Sequence, residues 1–128
     1  MGNKHLKFWP SHLPHQLTVP ETSVCESLLI SARKFPNKTA IIFYDTKITY
    51  SQLLQQVISF ASYLKNYCQI KKGDRVILDL QNSPQFVISY YGILLSGGVV
   101  VPINPMSVTG ELEHYCKDSG ATTGIASQ

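Results

Sequence analysis

The sequence predicts an α/β fold: a doubly wound, mostly parallel sheet with flanking helices. Three observations carry that expectation. From Ile48 onward the patterning alternates helix, strand, helix, strand, helix, strand. Such alternation implies right-handed crossovers between parallel strands. Arg75 to Leu80 is almost continuously apolar, as in a strand buried on both faces. Leu94 to Pro105 reads as a buried helix end, a glycine stop, a short strand and a proline exit.

The totals set bounds. At 128 residues the chain is about one domain. Apolar residues are 44% and charged residues 15%, a low charge that points to surface covered by something else. The net charge of +3 is dispersed. The densest basic cluster, Lys71-Lys72 with Arg75, is broken by Gly73 and Asp74. That is a solvated turn and not the clustered face a nucleic acid needs. Cys25, Cys68 and Cys116 are far apart and odd in number, as in reduced thiols of a cytosolic protein. No secretory signal is expected, because Lys4-His5-Leu6-Lys7 leads into prolines and histidines. No transmembrane segment is expected either. The longest apolar run, Phe86 to Leu95, includes Ser89 and is about half the roughly 20 residues a spanning helix requires.

In order along the chain, residues 1–22 read as an extended arm, because Pro10, Pro14 and Pro20 fix the backbone and remove donors. Its Phe8, Trp9, Leu13, Leu17 and Val19 are too apolar for a free tail, so the arm is expected to lie against a surface. His12 and His15 lack a third ligand and are read as ordinary exposed histidines. A domain then occupies 23–128. Ser23 to Lys34 is a helix with a Ser23/Glu26 capping box, ended by Phe35-Pro36. Thr39 to Tyr44 and Lys47-Ile48 form a hairpin about an Asp45-Thr46 turn. Thr49, with Gln52 three residues on, caps a helix whose Leu53, Leu54, Val57, Ile58, Ala61 and Leu64 recur at helical spacing.

Lys72-Gly73-Asp74 turns into the strand Arg75 to Leu80. Ser83-Pro84 opens a helix apolar over most of its surface and so expected to be buried. Its interior Gly92 suggests close approach of a neighbour. Gly97-Gly98 stops it in the left-handed conformation. Val99 to Val101 is a strand, Thr109 to Lys117 a helix stopped by Gly120, and Thr122 to Ser127 a weak strand.

No catalytic constellation emerges. Asp79 is a carboxylate in an apolar strand; its simplest placement is partly exposed at the strand's carboxyl end. There is no Gly-x-Ser-x-Gly elbow, Gly-x-Gly-x-x-Gly turn or phosphate loop ending in Gly-Lys. Ser119-Gly120-Ala121-Thr122-Thr123-Gly124 resembles a phosphate-gripping loop but lacks its basic partner. Gly120 is better explained as a helix stop. No catalytic, cofactor-binding or metal-ligating residue is assigned.

Several stretches together resemble a known family. Phe8-Trp9-Pro10, the arm to Pro20 and Phe35-Pro36-Asn37-Lys38-Thr39-Ala40-Ile41 resemble the opening of an AMP-forming fatty acyl-CoA synthetase. Ile48-Thr49-Tyr50-Ser51-Gln52-Leu53 is similar to the first core motif of that adenylate-forming superfamily, with Gln52 in place of the usual glutamate. Leu94 to Asn104 is similar to the second. The resemblance implies a partial N-terminal AMP-binding synthetase/ligase domain over 23–128. It implies ATP, Mg and CoA as cofactors of the complete enzyme and none in this chain. It implies a fatty acid substrate, and the rest of the synthetase domain as partner. Location is expected to be cytoplasmic, with membrane-peripheral association open to the complete enzyme. The family's phosphate loop and catalytic lysine are absent here. The expectation is therefore an N-terminal fragment, inactive alone. A non-catalytic α/β interaction module and a nucleotide-binding domain using Ser119 to Gly124 are the alternatives.

Overall fold

The structure, a computed structural model, describes residues 4–127. The first three residues of the arm and Gln128 lie outside the described residues. Lys4–Phe8 forms a 3-10 turn and not extended chain. Of the arm's apolar side chains, Phe8 is 85% exposed and Leu17 90%, whereas Trp9 and Leu13 are each 43% exposed. With three prolines and no apolar periodicity, the arm neither joins a sheet edge nor presents a helical stripe.

Helix α1 (Val24–Lys34) starts where Ser23 Oγ accepts the Glu26 amide at 3.1 Å. Only this half of the expected box forms, since no bond from the Glu26 carboxylate returns to the Ser23 amide. Leu28 and Ala32 are buried. Strands β1 (Thr39–Phe43) and β2 (Thr46–Thr49) pair antiparallel. The turn is Tyr44-Asp45 and not Asp45-Thr46, with Tyr44 at φ 49° ending β1. Helix α2 (Tyr50–Asn66) carries the complete box. The Gln52 amide donates to Thr49 Oγ1 at 3.3 Å, and the Thr49 amide to Gln52 Oε1 at 2.9 Å. Leu53, Val57, Ala61 and Leu64 face the core, while Ile58 lies outside the stripe and is exposed.

Strand β3 (Arg75–Asp79), helix α3 (Pro84–Ser96), strand β4 (Val99–Pro102), helix α4 (Thr109–Ser119) and strand β5 (Thr123–Ala126) complete the chain. The sheet order is β4-β3-β5, parallel throughout, with Ile77 opposite Val101 on one side and Gly124 on the other. Val76, Ile77 and Leu78 are all buried, which is the two-faced burial that the apolar run predicts. Val76 and Leu78 join Leu64, Ile70 and Ile93 in the larger core cluster. Leu28, Leu53 and Val57 hold α1, the hairpin and α3 around α2. Helix α4 lies over the opposite face, beside Ile77 and Asp79, with no buried residue of its own.

Helix α3 is buried, as its apolar surface predicts, with only Gln85 exposed. Phe86 and Tyr90 pack against the larger core cluster and Val87 against the smaller, each staying partly accessible. The glycine stop needs correction. Gly97 alone is left-handed, at φ 94°. Gly98 serves close approach: a Cβ there meets Ile93 Cγ2 at 3.0 Å and the Asp74 carbonyl at 3.3 Å.

Candidate functional site at the carboxyl edge of the sheet

In an open parallel sheet, ligands favour the crevices outside the carboxyl ends of the strands. Here that edge is built from three exits. Strand β3 leaves through Leu80-Gln81-Asn82, and Ser83 Oγ then accepts the Phe86 amide at 3.2 Å to start α3. Strand β4 leaves through Pro102 to Met106. The Ile103 amide is tied to the Leu78 carbonyl at 3.1 Å, and the Met106 amide to Asn104 Oδ1 at 3.0 Å. Strand β5 leaves through Ala126-Ser127.

Two clefts flank the end of β3. One, of about 500 Å3, is lined by Gln81, Asn82, Phe86, Pro102, Ile103 and Met106. The other, of about 450 Å3, is lined by Gln81, Gln85, Ser89, Ile125 and Ser127. Neither is lined by a charged side chain. Amides and hydroxyls there can orient a ligand by hydrogen bonds. They offer no base to activate a serine, and Ser83 already serves as a helix cap.

A third cavity of about 300 Å3 lies between α4 and the sheet, lined by Ile77, Asp79, Leu112, Cys116 and Ile125. Asp79 is the last residue of β3 and half-buried, as its simplest placement predicts. Its Oδ1 is nevertheless fully buried with no hydrogen-bond partner among the described residues. Sequence patterning shows that Asp79 is out of place in an apolar strand. It does not show which face receives it.

Ser119 to Gly124 does not form a phosphate cradle. Ser119 Oγ donates to the Tyr115 carbonyl and accepts the Ala121 amide. The Gly120 amide closes α4 on the Cys116 carbonyl, with Gly120 left-handed at φ 66°. Thr123 and Gly124 are in β5, paired with Val76 and Ile77. Ser119 to Thr122 precede β5 at its amino end, and Ala121 to Gly124 line the third cavity and not the two clefts. These groups cap the helix and build the strand, so this geometry lends the nucleotide-domain alternative no support.

Among the described residues, no three His, Cys, Asp or Glu side chains come close enough to hold a metal. Neither cleft is lined by a cation or by a pair of carboxylates. Cys25 and Cys68 are half-buried free thiols and Cys116 an exposed one. No described helix is long and apolar enough to cross a membrane.

Comparison with known proteins adds the lineage. The AMP-binding enzyme family matches residues 28–128. A long-chain-fatty-acid–CoA ligase of Bacillus subtilis (strain 168) is 43% identical over 112 residues, which is 87% of this chain and 20% of that protein. One from Yersinia pestis is 33% identical over 117 residues, 91% of this chain and 21% of that protein. The N-terminal subdomain of Klebsiella oxytoca NpsA, in complex with 3-hydroxyanthranilyl-AMSN, superposes with a TM-score of 0.79 at 30% identity. That match covers 83% of this chain and 27% of the other. The chain thus spans about a fifth of the length of the curated relatives it matches. Similarity over 91% of the chain reaches into the 1–22 arm, whereas the family match begins at Leu28.

Proposed function

The chain belongs to the AMP-binding enzyme family, and on that premise we propose that it supplies the N-terminal part of an AMP-forming fatty acyl-CoA ligase. In the proposed reaction, a fatty acid carboxylate attacks the α-phosphate of ATP, giving acyl-adenylate and pyrophosphate. The thiol of coenzyme A then displaces AMP to form the thioester. The observation that supports this reading most strongly is the 43% identity to a long-chain-fatty-acid–CoA ligase over most of the chain. It is joined by a parallel sheet whose carboxyl edge is open and lined by no charged side chain.

The role of this chain in that reaction is architectural. It sets the strands and clefts against which the rest of the ligase domain packs. ATP, Mg and coenzyme A are bound by residues outside it. The chain alone is inactive. The complete enzyme works in the cytoplasm and at membrane surfaces.

The test is a chimaera in which this chain replaces the matching fifth of the Bacillus subtilis ligase. Pyrophosphate release and thioester formation are measured with palmitate and with benzoate, beside the 128-residue chain alone. The expected result is ATP-dependent palmitoyl-CoA formation by the chimaera and none by the chain alone. A folded chimaera that turns over benzoate and not palmitate overturns the fatty acid assignment.

A further inference from the structure

We infer that the N-terminal arm is a docking element for an anionic lipid–water interface, the phase in which a long-chain fatty acid resides. This deepens the fatty acid reading above and rests on it. Exposure is the first ground. Phe8, Leu17 and Val19 are largely open to solvent, and Trp9 and Leu13 are each 43% exposed. Large apolar side chains concentrated in so short a segment mark an interaction surface.

Charge decides the kind of partner. Residues 1–20 contain Lys4, Lys7, His5, His12 and His15 and no carboxylate; the first acid is Glu21. Lys7 Nζ lies 5.9 Å from the centre of the Phe8 ring, so cation and aromatic are adjacent. Aromatic rings settle at headgroup depth, while lysines are drawn to anionic headgroups. The arm is therefore complementary to an anionic bilayer surface.

Local geometry agrees. Trp9 Nε1 donates to the Pro14 carbonyl at 3.2 Å, and the Leu13 amide to the Pro10 carbonyl at 3.1 Å. These bonds satisfy polar groups internally, which lowers the cost of placing the segment at an apolar boundary. Pro10, Pro14 and Pro20 block addition of the arm to a sheet edge of another protein. Similarity to a long-chain-fatty-acid–CoA ligase extends into the arm, ahead of the family match.

Trp9 is the single tryptophan of the chain, so its fluorescence reports on the arm alone. The experiment titrates the 128-residue chain with vesicles of phosphatidylcholine, alone or mixed with phosphatidylglycerol, at low salt. With the anionic vesicles, Trp9 emission is expected to move to shorter wavelength and to be quenched by brominated acyl chains. Partitioning to phosphatidylcholine alone is expected to be weaker by about tenfold. The Phe8→Ser/Leu17→Ser double variant is expected to lose about tenfold or more in partitioning. Lys7→Glu is expected to weaken binding to the anionic vesicles only. Ile42→Ser, an exposed apolar site on the hairpin, is expected to leave the spectral shift intact. Circular dichroism melts confirm that each variant folds.

Trp9 emission unchanged by anionic vesicles overturns the inference. So does emission that is already at short wavelength without lipid, which places the arm against protein. A lipid-free shift that grows with protein concentration also overturns it, since the occupant is then a second copy. Lost vesicle binding beside an active chimaera overturns this inference and leaves the ligase reading standing. Intact vesicle binding beside an inactive chimaera overturns the ligase reading and leaves the arm a lipid-docking element.

Discussion

Thr49 shows how much one side chain can determine. Its hydroxyl and the Gln52 side chain satisfy two amides reciprocally at the start of α2. Thr49→Ala removes one of those bonds and is expected to cost about 1 kcal/mol. Urea melts of the two proteins measure it, and equal midpoints refute it. Asp79 points the other way. A buried carboxylate oxygen without a partner costs about 1–3 kcal/mol. Asp79→Leu is therefore expected to raise the urea midpoint of the 128-residue chain. A lower midpoint shows that the carboxylate is stabilised where it stands. Cys25 gives a pH dependence. Its Sγ lies 3.8 Å from the Tyr91 carbonyl, and burial raises its thiol pKa. Burial first, then Cys25, Tyr90 and Tyr50, raise the Tyr91 phenol. Both groups hold their protons to higher pH in the folded chain than in the unfolded one. Their contribution to stability is thus complete below the unfolded thiol value, about 8.5, and is lost as pH rises through the folded values. Melting temperature is expected to fall as pH is raised past that point, and less so in Cys25→Ala. Identical profiles for the two proteins rule this out.

Among the elements, α2 and α3 make the tightest pairing. A Cβ on Gly92 would stand 2.6 Å from Cδ1 of Phe60. Phe60 in turn stacks on Tyr63, and Tyr63 on Tyr67. Gly92→Val is expected to cost about 2–3 kcal/mol through overpacking, and combining it with Phe60→Ala to cost less than the two changes summed. A double-mutant cycle of melts with strict additivity would falsify the contact as the cause. Element types were legible from period and caps, because Thr49, Ser83 and Gly97 act locally. Burial of α3 was legible too, from the apolar surface to which Phe86, Val87 and Tyr90 contribute. The half-formed box at Ser23 was not: residue spacing permits the Glu26 bond without requiring it.

Across the whole molecule, the parallel sheet was legible because the run through Val76, Ile77 and Leu78 leaves no polar face. The candidate site was barely legible. Its clefts are lined by glutamines, an asparagine, serines and prolines whose chemistry signals nothing until the strand exits bring them together. At Ser119 to Gly124 the legible feature was the helix stop, since Gly120 is left-handed and closes α4 on the Cys116 carbonyl. The strand order β4-β3-β5 also sets a sequence of events in time. The β3–α3–β4 unit is contiguous and can pair as soon as Pro102 is made, whereas β5 must close a loop around the whole of α4 before it meets the free side of β3. Entropy of loop closure therefore delays the last strand. Folding-rate analysis is expected to give φ values well above zero at Val76 and Val101 and near zero at Ile125. High values at Ile125 contradict that order. Until β5 arrives, one flank of the central strand stands open to any other chain, so the interval before closure is when this molecule is most exposed to misassociation.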